Sequence, residues 1–151
     1  MLRDRLTAAL KDAMKSKDKV RLSTLRLILA AVKERDIEAH AQDRCDGASE
    51  EEILAVLSKM VKQREESAKT YEDAGRVAMA ETERAEIEVV REFMPRQLTD
   101  AEIATAVDSV VKEVEATNLK DMGKCMSALK SKYAGEMDFG RAGAMVKKTL
   151  G

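Results

Sequence analysis

One proline interrupts a chain in which apolar residues recur every three to four positions on both sides of it, and that combination leaves little room for anything but helices. Pro95 disfavours helix at Met94, so Met94-Pro95-Arg96-Gln97-Leu98 reads as a short linker between two helical parts. Seven glycines, against 44% apolar and 36% charged residues, support the same reading. The expected fold class is all-α: a four-helix N-terminal module over residues 1–95, then a three-helix tail module over 96–151.

Local signals set the expected boundaries. Leu2, Leu6, Leu10 and Met14 mark a first helix, and Ser16-Lys17-Asp18 a turn. A second helix, about Lys19–Ala39, carries two apolar stripes: Leu22, Leu25, Leu29 and Val32, and then Val20, Thr24, Leu27 and Ala31. That pattern predicts a helix central to its module. Lys19, Arg26 and Lys33 leave a narrow charged ridge along it. Residues 40–49 read as a loop, and Ser49 with Glu52 forms a capping box that opens a third helix reaching about Asp73, where Gly75 stops it. That helix is expected to bury Leu54, Leu57, Val61, Ala68 and Tyr71. A fourth runs from about Arg76 to Phe93. Thr99 and Glu102 form a second capping box ahead of a fifth helix, about Asp100–Ala116. Asn118 and Asp138 are the expected caps of the sixth and seventh.

The residues for solitary catalysis are hard to find. Gly123-Lys124 has the ending of a phosphate loop, but Asn118 stands where the first glycine belongs, Cys125 where the hydroxyl belongs, and no strand precedes. The pair instead falls within an amphipathic helix. Its apolar face is Met122, Cys125, Met126, Leu129 and Tyr133, and Gly123 is expected to admit a close neighbour. His40, the single histidine, lies beside a loop with no nucleophile signature. Cys45 and Cys125 are far apart, which suits two free thiols and gives no zinc spacing. Arg64 lies near the apolar face of the third helix, where a structural ion pair is expected. No catalytic, cofactor or metal residue is assigned. The longest apolar run, Leu27 to Val32, falls far short of the roughly 18 residues of a membrane span. The amphipathic, basic N-terminus has the look of a transit peptide, but Asp4 and Asp12 argue against one, and a cytoplasmic location is expected.

Charge is unevenly spread. Residues 1–35 hold ten cations against four acids, the middle is acidic, and from Lys120 onward seven cations face three acids. The candidate nucleic-acid-binding residues are Lys120, Lys124, Lys130, Arg141, Lys147 and Lys148.

Several stretches in order then match a known family: KSKDKVRLSTLRLILAAVKERDIE at 15–38, KQREES at 62–67, YEDAGR at 71–76, EFMPRQLTDAEI at 92–103, KDMGKCM at 120–126 and YAGEMDFGRAGAMVK at 133–147. Over essentially its full length the chain resembles the bacterial-type YqeY-like family, and its last third resembles the tail domain of the GatB subunit of tRNA-dependent amidotransferase. The resemblance implies two helical modules, and a tail of the kind that helps hold tRNA. It also carries the family label of carbon–nitrogen ligase with glutamine as amido donor. That chemistry would need partner amidotransferase subunits, because neither an amidase segment nor an ATP-binding sheet is present. The expected role is a tRNA-associated accessory protein; the alternative is a protein–protein adaptor that binds no nucleic acid.

Overall fold

The computed structural model describes all 151 residues. Seven α-helices follow in order: α1 (Leu2–Ser16), α2 (Lys19–Ala41), α3 (Glu50–Asp73), α4 (Val77–Arg91), α5 (Asp100–Glu113), α6 (Met122–Lys132) and α7 (Phe139–Leu150). A single 3-10 turn, Leu119–Asp121, leads into α6, and no strand is present. The chain divides into two compact units, Met1–Met94 and Pro95–Gly151.

In the first unit α3 and α4 make the most extensive pairing, α1 packs on α2, and α2 also meets α4 and, more sparsely, α3. Leu6, Leu25, Ile28, Leu57 and Val90 are fully buried at its centre. The stripe of α1 differs from the expected one. Leu2, Leu6, Ala9 and Ala13 are buried, while Leu10 is half-buried and Met14 is exposed. The reason is geometric: steps of four residues walk about 40° round a helix each time, whereas alternating steps of four and three stay on one line. α2 departs too, but not for that reason, because both its stripes already alternate steps of three and four; what the second lacks is a neighbour. Its first stripe faces the core with Ile28, but in the second only Thr24 is buried, Ala31 is half-buried, and Val20 and Leu27 are exposed. So α2 is covered on one side and open on the other. Thr24 is satisfied there by donating to the Val20 carbonyl at 2.7 Å.

Ion pairs run along the α3–α4 seam. Arg64 Nε meets Glu86 at 3.0 Å with both side chains mostly buried, which is the structural pair expected of it. Arg91 meets Glu65 at 2.7 Å, and Arg84 meets Glu72. The core side of α3 is Ile53, Leu57, Met60, Val61 and Ala68, with Leu54 and Tyr71 only half-buried. α4 begins at Val77 and ends at Arg91, two residues short of the expected end. Phe93, just beyond, is buried with the Arg5 and Arg21 guanidinia 5.5 and 6.0 Å from its ring.

The second unit has its own core of Val107, Val110, Cys125, Leu129 and Val146. The Leu98 amide donates to the Glu136 carbonyl at 2.8 Å, and the Gln97 amide donates to that of Gly135 at 2.7 Å. These bonds tie the segment after Pro95 to the α6–α7 turn. α5 ends at Glu113, earlier than Ala116, with Glu115 in the left-handed region at φ 56°. Gly143 in α7 is buried against the methyl ends of Met122 and Met126, each 3.7 Å from where a Cβ would stand. Gly123 is exposed, and nothing lies within 4 Å of a Cβ placed on it. The close approach expected at Gly123 is therefore made at Gly143, because Gly123 lies on the outer side of α6.

Candidate nucleic-acid interface

The cations of the second unit are positioned by three short elements. Asn118 accepts from the Lys120 amide at 2.9 Å and so shapes the 3-10 turn that carries Lys120. Asp121 closes the same turn by accepting from the Thr117 amide at 2.9 Å. That bond, more than the nearby Lys124 charge, holds the Asp121 carboxyl below its ordinary pKa. Lys124 follows one helical turn after Lys120, so the two fall on one side of the 3-10/α6 junction. Lys130 is six residues further on, about 120° round the helix axis from Lys124, and does not join them.

α7 is strongly two-sided. Ala142, Gly143 and Val146 are buried, while Arg141, Ala144, Lys147 and Lys148 are exposed within one outward arc. Asp138 caps this helix by accepting from the Gly140 amide at 2.8 Å. Lys147 and Lys148 lie in the last turn, where the helix dipole also favours positive charge.

Pairing separates these residues. Arg141 is engaged with Asp100 of α5 at 2.8 Å, and Lys132 is engaged with Glu113. Lys120, Lys124, Lys130, Lys147 and Lys148 are exposed and form no ion pair. Of the six candidates, then, five present free ammonium groups and one is shared with a carboxylate. They form two clusters, Lys120/Lys124 and Lys147/Lys148 with Arg141, and Lys130 stands apart.

The thiol in this unit is not a reactive one. Cys125 is buried in the core, and desolvation raises its pKa above the ordinary value. Cys45 is free and exposed, and His40 is exposed beside its loop.

A polar junction in the first unit was not anticipated from sequence. Asp36 accepts from Arg3 through both guanidinium ends at 2.7 and 2.8 Å, and from the Ala48 amide at 2.8 Å. Those bonds hold its carboxyl down to about 2. Glu52, the capping-box acid of α3, is held to about 2 by Arg44, with Arg35 at 2.6 Å on its other side. Each of these carboxylates is fully answered by fixed donors, so the junction reads as structural. The partners of Asp36 lie 33 and 12 positions away, beyond any local spacing rule.

An all-helical protein with charge-rich surfaces and a set of unpaired lysines on its second unit is thus defined. The family model described as Yqey-like protein matches residues 3–150, and the chain belongs to that family. Two relatives are each named altered inheritance of mitochondria protein 41, mitochondrial. The one from Clavispora lusitaniae is 32% identical over 115 residues, covering 75% of this chain and 64% of its own length. The one from Lachancea thermotolerans is 30% identical over 121 residues, covering 76% and 63%. The chain therefore spans slightly less than two thirds of these relatives. No helix is long and apolar enough to cross a membrane.

Proposed function

We propose that this chain is a tRNA-associated accessory protein, and that the cationic surface of its second unit contacts the phosphate backbone. One observation carries the reading: all five candidate lysines in the GatB-tail-like part are exposed, and none of the five is spent on an ion pair. Free ammonium groups bind phosphates through charge and counterion release without specifying sequence, which suits a holding role. Glutamine hydrolysis and carboxylate activation, where they occur, are assigned to partner amidotransferase subunits, and no cofactor is invoked for this chain. The cytoplasm is the proposed location, on the strength of two thiols that stay unpaired.

The test is charge reversal on the full chain. Lys120→Glu, Lys124→Glu, Lys147→Glu and Lys148→Glu together should weaken binding to unmodified tRNA at least about tenfold, with helix content unchanged. Arg141 is left out because Arg141→Glu would also set two carboxylates against each other at Asp100. Wild-type affinity in the fourfold variant would remove this surface from consideration.

A further inference from the structure

The open side of α2 carries a second pattern. Val20, Ser23, Leu27, Ala30, Glu34 and Ile37 follow one another at alternating steps of three and four, the seam spacing of a coiled coil. They lie opposite the buried residues Leu25, Ile28 and Val32, on a helix about 35 Å long. Val20 is 41% exposed, Leu27 49% and Ile37 61%, so the seam has no cover within the first unit. Beside it run Lys19, Arg26 and Lys33, seven residues apart, exposed and without ion pairs. On its other side a groove of about 510 Å³ opens between α2 and α3, with Ala31, Val56 and Met60 among its lining and Glu34 and Glu38 on its α2 wall.

We propose that the outer face of α2 is a docking seam for an amphipathic helix of a partner protein, one whose flank is acidic. Its apolar stripe would lie along Val20, Leu27, Ala30 and Ile37, and its carboxylates would answer Lys19, Arg26 and Lys33. Charge decides the occupant. A second copy pairing antiparallel through this seam sets the cationic ridge against itself. Pairing in parallel sets the ridge against Thr24, Ala31 and Glu38, of which Glu38 alone is charged and Thr24 is buried. A lipid surface is disfavoured by Glu34, which stands within the seam itself. A partner helix can meet Glu34 with a lysine, and a polar group at one seam position fixes register.

The probe is a synthetic 24-residue helix with leucine at the seam positions, one lysine placed to face Glu34, and glutamate along the flank. Its control carries lysine in place of those glutamates. Fluorescence anisotropy against the full chain should show the glutamate peptide binding at least about tenfold tighter than the control, with the difference narrowing at high salt. Leu27→Glu with Ile37→Glu should abolish binding while leaving the urea midpoint unchanged, because both side chains are exposed. Lys19→Glu, Arg26→Glu and Lys33→Glu together should reverse the preference between the two peptides. Equal affinity for both peptides would overturn the proposal, as would wild-type binding by the Leu27/Ile37 variant. Binding to phosphatidylserine vesicles with none to the peptide would assign the face to lipid instead.

Discussion

Asp36 shows how much of the first unit rests on single contacts. It receives Arg3 from α1 and the Ala48 amide from the α2–α3 loop, and Arg3 in turn donates to the Ala48 carbonyl at 3.0 Å. Because its folded pKa of about 2 lies below the ordinary 3.8, its contribution to stability is fully present above pH 4. It is lost as pH falls through the range from about 4 to about 2. Asp36→Asn should therefore lower the urea midpoint at pH 7 by the equivalent of about 1–2 kcal/mol, given that Arg3 is partly solvated. The gap to wild type should shrink when both are measured near pH 3. Gly47 guards the same junction. It sits at φ +77°, and a Cβ there would stand 2.7 Å from an Asp36 carboxylate oxygen. Gly47→Ala should cost at least about 1–2 kcal/mol for the left-handed backbone alone, read as a lowered thermal midpoint.

At the scale of elements, helix starts are written locally and helix faces are not. Ser49 with Glu52 and Thr99 with Glu102 form the two expected capping boxes, each a reciprocal exchange across three residues. Asp138 caps α7 as expected, whereas Asn118 caps the 3-10 turn and α6 itself opens after Asp121 without a side-chain cap. Thr99→Ala should cost about 1 kcal/mol and lower the thermal midpoint, since the Glu102 amide loses its acceptor. Helix ends are less legible, because fraying and left-handed residues such as Glu115 depend on the turn that follows. The two sides of α2 were beyond sequence for another reason. Periodicity reports that a face is apolar, but burial also needs a neighbour, and none covers Val20 or Leu27. Gly123 makes a similar point, since an exposed glycine in the first turn of α6 adds backbone freedom without admitting any neighbour. Gly123→Ala should raise stability by about 0.5–1 kcal/mol, seen as a higher urea midpoint.

Over the whole molecule, formal charge is −1, yet cations outnumber acids at the two ends of the sequence. The sequence shows this segregation directly, but not which cations are already spoken for. Arg141 and Lys132 find carboxylates on α5, contributed by residues 41 and 19 positions away. The candidate lysines left unpaired in the second unit are the ones to which the tRNA-holding role is tied. Its most direct test is titration of the purified chain against bulk tRNA by anisotropy at two salt concentrations, with duplex DNA as competitor. Binding is expected to be salt-sensitive, with a log–log slope of about −2 to −4, within what five lysines can supply. Contact through phosphates alone further predicts that duplex DNA competes for the same surface. Absence of binding at low salt, or a complex indifferent to salt, would contradict it.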